Sequence, residues 1–355
     1  MNANHENPNL DLLRATAVLL VFFFHLLLFG ERSTHLPYHL DGLGHWGVLI
    51  FFVHTSLVLM YSMERMSAKN PSKSLYLPFL IRRCFRIYPL SMVVVLTVFL
   101  CKLPVAHLRN GTFSGVHLDP AGLFSNLFLC QDLTHTESIV APLWSLPIEM
   151  HMYLVLPLLF IVVRYLPSLS AILLLWMLSV AAGLLAGPSI HLQRYGIGEF
   201  LLYVPCFFAG VVAYQFSKRS SLQLPFFLWP VAIALLTALC LWNQLSYAGP
   251  WFLCLLLGIL IPQFRPMSSP LLKQICLNIA KYSYGIYLTH FILIWWAFQG
   301  MGQVGRPLQW FLFLSATFSF PVFLYHVIEE PMINLGARVA RHLSPERMVS
   351  QPRVT

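Results

Sequence analysis

Apolar runs of helix length recur down the whole chain and are broken by short polar joints. Ten have that length, at roughly 10–29, 44–62, 86–101, 142–163, 169–187, 198–216, 224–242, 250–264, 282–299 and 308–328. A bilayer core needs about 20 apolar residues per helix, so each run reads as a membrane span. Proline and glycine mark the joints, among them Asn70-Pro71, Pro104, Pro120, Gly187-Pro188, Gly249-Pro250 and Arg306-Pro307. The pattern predicts an all-α integral membrane protein, a bundle of about ten transmembrane helices. Residues 1–340 form one transmembrane domain and 341–355 a disordered cytoplasmic tail. Glu329-Glu330-Pro331 after the tenth run reads as a helix stop.

The polar positions inside these runs change the picture from scaffold to site. Arg14 and His25 lie in the first run, eleven residues apart. At 100° per residue they share one helix face, about 16 Å apart along the axis. Such a polar stripe in a membrane helix marks either a functional site or an Arg that snorkels and a His that bonds a neighbouring helix. The fourth run opens Trp144-Ser145-Leu146-Pro147-Ile148-Glu149-Met150-His151-Met152-Tyr153. Glu149 and Tyr153 are i,i+4 and share a face, with His151 roughly opposite Glu149. The first and fourth helices run in opposite directions, which sets Glu149 and His25 at similar depth, able to satisfy each other. In the ninth run Tyr287 and His290 are i,i+3 and face one cavity, and His54 sits near mid-depth in the second. Before the third run, Arg82 and Arg86 share a face. Their forks suit phosphate oxygens, and a plain lipid-facing basic cluster is the simpler alternative.

Composition agrees with the pattern. The 355 residues are 58% hydrophobic and 10% charged, against about 25% charged in soluble domains. The net charge of +9 calls for no nucleic acid, because sixteen basic residues fall in alternate loops on one side and five on the other. That bias predicts a multi-pass protein of the plasma (inner) membrane with both termini cytoplasmic. The first run has no basic n-region or cleavage site before it and reads as a retained helix. The loops at 30–43 and 102–141 then lie outside. Their histidines are dispersed and the seven cysteines lack metal spacing, so no metal is expected. Cys101 and Cys130 bracket the longer loop as a conceivable disulfide.

Taken in order, the motifs resemble membrane-bound acyltransferase family 3. They are Arg-x10-His in the first helix, Arg-x-x-Arg-Ile-Tyr-Pro before the third, Trp-Ser-Leu-x-x-Glu opening the fourth, Tyr-Gly-Ile-Tyr-Leu-x-His in the ninth, and Glu-x-Pro after the tenth. The resemblance spans residues 10–331. It implies transfer of an acyl group, usually acetyl, from cytoplasmic acyl-CoA to a hydroxyl of a glycan or other acceptor. The family often adds an extracytoplasmic hydrolase-like domain, for which no segment here is long enough. The usual Phe-Phe-x-x-Ser-Gly is here Phe51-Phe52-Val53-His54-Thr55-Ser56, and the usual Glu-Glu-Gln-Phe-Tyr is Glu149-Met150-His151-Met152-Tyr153. These departures point to a subfamily with a different acceptor.

On this reading acyl-CoA (acetyl-CoA) is the donor co-substrate, and the partners are the lipid bilayer, acyl-CoA and the hydroxyl acceptor. Arg14, Arg82 and Arg86 hold the CoA phosphates near the inner surface. His25 is the general base and Glu149 orients or charge-balances it. Trp144, Tyr153, Tyr287, His290 and His54 line the substrate cavity. Two other classes remain. One is a transporter or flippase for an anionic lipid or glycan, with the same Arg, His and Glu for binding and proton relay. The other is a structural subunit of a glycan-assembly complex.

Overall fold

A computed structural model describes residues 7–30, 40, 42–69, 75–107, 112–115, 118–166, 168–190, 197–220, 222–242 and 248–343. The expected tail lies almost wholly outside these residues, as do His35, His39 and Asp41 of the first loop. Every apolar run falls on one helix. They are α1 (Pro8–Gly30), α2 (Gly42–Lys69), α3 (Tyr76–Leu100), α6 (Ser145–Tyr165), α7 (Leu169–Ile190), α8 (Ile197–Ser217), α9 (Leu228–Trp242), α10 (Gly249–Leu260), α11 (Pro270–Trp295) and α12 (Arg306–Leu324). Seven helices among the described residues are long and apolar enough to cross a membrane, and α9 and α10 are shorter apolar helices. α11 has the length, but Ser283, Tyr284, Tyr287 and His290 dilute its apolar character.

α1 packs between α2 and α11. Small residues allow this. A Cβ on Gly47 would stand 2.7 Å from the Ala17 carbonyl oxygen, so the α1 and α2 backbones meet directly. On its other side α2 meets α8, where Gly210 faces Ser56 and the Val53 carbonyl. Ser56 Oγ donates to the Phe207 carbonyl across that seam (2.6 Å), which satisfies both groups away from water. Leu184, Leu185, Leu235 and Phe318 point outward, as the lipid-facing side of a bundle requires.

Among the described residues, the segment between α3 and α6 holds the paired strands that depart from an all-α chain. It holds an antiparallel hairpin, β1 (Val105–His107) and β2 (Thr112–Ser114), then α4 (Pro120–Leu127) and α5 (Gln131–Thr134). Asp119 caps α4 by accepting from the Gly122 amide at 2.7 Å. Asn126 binds Glu137 and Ile139, and Gln131 donates to the Leu143 carbonyl (3.2 Å), which fixes where α6 begins. Cys101 and Cys130 are free thiols.

The chain does not stop at Glu329-Glu330-Pro331. A π turn at 325–329 carries α12 into α13 (Glu330–His342), with Pro331 at the start of the new helix. Proline is tolerated there because a first-turn N–H has no helical partner to lose. α13 packs along α3.

Candidate active site

A cavity of about 230 Å³ lies between α1, α2, α3, α6 and α11. Arg14, Arg65, Arg83 and Arg86 line it together with Glu149, His54, Tyr153, Ser283, Tyr284 and Tyr287. A charged cluster of this kind inside an apolar bundle is costly, and it persists where it serves a ligand or a charge path.

Arg14 and Glu149 are each held by a neighbour from another element or another turn. Arg14 Nε donates to Ser283 Oγ (2.7 Å), and Ser283 donates onward to the Ala280 carbonyl (2.8 Å). That bond ties α1 to α11. On α6 the i,i+4 spacing does what it predicts, and the Tyr153 hydroxyl donates to Glu149 Oε1. Arg14, Arg86 and Arg83 are the charges that act on Glu149. Tyr284 donates to the Ile87 carbonyl (2.7 Å), joining α11 to α3. At the far end Tyr287 bonds Ser145 Oγ (2.7 Å) and the Pro142 carbonyl (2.9 Å), closing the cavity against the start of α6.

The arginines differ from the expected pair. Arg82 does not line the cavity, while Arg83 does, three residues before Arg86. α3 is turned so that positions 83, 86 and 87 face inward, and Arg82 lies about 100° off that face. The Nε atoms of Arg82 and Arg83 are both buried without a hydrogen-bond partner among the described residues, so what separates the two is that only Arg83 lines the cavity. An unpartnered guanidinium donor that also faces a cavity is placed to bind an anion there.

His25 and Glu149 are not paired. His25 Nδ1 lies 3.0 Å from His290 Nε2, and Glu149 sits with the arginines instead. The reason is depth. The loop before α6 folds into the protein, so Leu143 and Leu146 are fully or nearly fully buried at its first turn. Ser145 in the first turn of α6 meets Tyr287, and Glu149, one turn further along, joins Arg14 in lining the cavity while His25 does not. Neither His25 nor His290 lines the cavity. They lie past Tyr287, whose ring is 6.3 Å from that of His290. Trp144 also leaves the cavity, stacking on His45 (6.0 Å) and meeting Tyr203 (5.4 Å).

Glu329 is the residue the sequence reading missed as a site. It is 2% exposed, its Oε1 has no partner among the described residues, and Arg86 and Arg14 are the charges that act on it. The sequence carried part of the signal, an acid at the end of a membrane helix, while the π turn that buries it shows only in the structure. In the segment that precedes α6, Asp132 of α5 meets His151 at 3.3 Å. Burial pushes the Asp132 carboxyl above its ordinary range, and the facing His151 ring works against that shift. His151 therefore points away from the cavity, as its position opposite Glu149 requires.

Comparison with known proteins follows the same lines. A family model described as an acyltransferase domain matches residues 7–326. The provisionally named peptidoglycan O-acetyltransferase YrhL of Bacillus subtilis is 26% identical over 365 aligned positions, covering 93% of this chain and 55% of that protein. Acyltransferase MdmB of Streptomyces mycarofaciens is 25% identical over 337 positions, covering 85% of this chain and 83% of MdmB. The chain thus spans little more than half of YrhL and most of MdmB. No solved structure matches it.

Proposed function

The chain belongs to the acyltransferase-domain family that it matches over residues 7–326, and from that premise we propose a membrane-bound O-acyltransferase. It moves an acyl group, acetyl first, from cytoplasmic acyl-CoA to a hydroxyl of a glycan or related acceptor. YrhL's name, which specifies a peptidoglycan acceptor, supports a glycan as the first acceptor to try.

The observation that carries the reading is the cation-lined cavity on the Arg14 side of α1, with His25 further along the same helix. Four arginines face two carboxylates, Glu149 and Glu329, so the cavity keeps a surplus of positive charge for phosphate oxygens. The donor's phosphates bind at Arg14, Arg83 and Arg86, and its thioester reaches toward Tyr287. The acceptor hydroxyl gives its proton to His25 as its oxygen bonds to the thioester carbonyl carbon. The carbon–sulfur bond then breaks, and the proton on His25 passes to the departing CoA sulfur. Glu149 and Glu329 offset part of the arginines' charge rather than serving His25.

Purified protein incubated with acyl-labelled acetyl-CoA separates this reading from a transporter. Release of CoA and transfer of label to a hydroxyl acceptor are expected. Label that binds or crosses the bilayer with its thioester intact would favour transport.

A further inference from the structure

We infer that His290 is a positioning residue that fixes the tautomer of His25 and leaves His25 Nε2 as the nitrogen able to take a proton. The inference rests on the reading of His25 as the base. His290 Nδ1 lies 3.1 Å from the Ile286 carbonyl oxygen, one turn back on α11. A carbonyl only accepts, so Nδ1 carries the hydrogen. In a neutral imidazole the other nitrogen then holds a lone pair, and His290 Nε2 is an acceptor. It stands 3.0 Å from His25 Nδ1. That bond needs one hydrogen, and His25 must supply it.

A second observation agrees. The Val21 carbonyl, one turn back on α1, also accepts a hydrogen bond from the His25 ring. A neutral imidazole carries one N–H, and the His290 acceptor places it on Nδ1, which leaves Nε2 bare. The rings are held in this register by Phe291, 4.4 Å from His25 and 4.9 Å from His290, and by Phe22 at 6.2 Å from His290. When His25 takes a proton at Nε2, its Nδ1–H keeps its bond to His290, and the new charge is stabilised without any side chain moving. His290 thus plays toward His25 the part that a backbone carbonyl or carboxylate plays toward other catalytic imidazoles.

The test compares side chains that keep or lose the acceptor at the position of His290 Nε2. His290→Gln presents an amide oxygen there, and His290→Leu presents none. The Leu variant should lose about 10- to 100-fold in kcat, the usual cost of removing an orienting partner, with little change in KM for acyl-CoA. The Gln variant should recover most of the loss. Nitrogen-15 spectra of histidine-labelled protein, with His25 assigned by its absence in His25→Gln, should show its Nδ1 protonated and Nε2 bare. The tautomer is read on unmutated protein, so a poorly folding variant does not blunt the test. Equal losses in Gln and Leu, wild-type turnover in Leu, or a His25 ring protonated at Nε2 would each overturn the inference. Near-normal turnover in His25→Gln would instead remove the base reading itself, whatever the tautomer.

Discussion

Arg83 and Arg82 are adjacent, alike in chemistry, and differ only in which side of α3 they occupy. That difference makes a sharp prediction. Arg83→Ala should raise KM for acyl-CoA by about 10- to 100-fold, the worth of a charge-assisted hydrogen bond, whereas Arg82→Ala should change it by less than a few-fold. Arg14→Lys should recover only part of the loss seen in Arg14→Ala, because an ammonium cannot both bond Ser283 and present a fork to an anion. Equilibrium binding of acyl-CoA measures all four. Glu149→Gln should also alter donor binding by changing the charge that faces the arginines, so its defect is expected in KM as much as in kcat. These assignments show what sequence spacing can and cannot reveal. Spacing identified Arg14, Arg86, Glu149, Tyr153, Tyr287 and His54, all of which line one cavity. It paired Arg86 with Arg82 because i,i+4 residues share a face, but which face turns inward is set by packing.

At the scale of elements, the rotation of α3 is fixed from outside the site. α13 lies along it, and Gly336 comes directly against the Phe85 side chain. The sequence hid this contact because Glu329-Glu330-Pro331 carries the marks of a helix end. Instead a π turn passes the chain into a new helix and leaves Glu329 buried beside the arginines. The depth of Glu149 was hidden for a similar reason. Counting residues from the apparent start of the fourth span places it at the level of His25, but the segment before α6 folds inward and carries the first turn with it. The ten helices themselves were legible, since each apolar run is long enough to announce one. Close helix approach yields a stability prediction. Gly210 meets Ser56 and the backbone of α2 with no room for a Cβ. Gly210→Ala should therefore destabilise the bundle by about 1–3 kcal/mol, read as a lower unfolding midpoint in detergent. An unchanged midpoint would mean that α2 and α8 are less tightly apposed.

For the whole molecule, the account depends on which side of the bilayer each end of the cavity faces. The cation-lined end lies where α1 begins, α2 ends and α3 begins, so it shares a side with the N-terminus. On the sixteen-to-five split of basic residues we propose that this side is cytoplasmic. In a cysteine-free background, Ser114→Cys should be labelled by an impermeant reagent from outside, and Ser72→Cys should not. The most direct measurement joins topology to chemistry. Proteoliposomes sorted for one orientation would receive acyl-labelled acetyl-CoA on the side of the N-terminus only and a hydroxyl-bearing glycan on the opposite side only. The account predicts label on the glycan with the wild-type protein and a loss of about 10² to 10⁴ in rate with His25→Gln, which keeps polarity but takes no proton. Equal transfer by His25→Gln, or transfer only when donor and glycan share a side, would contradict it.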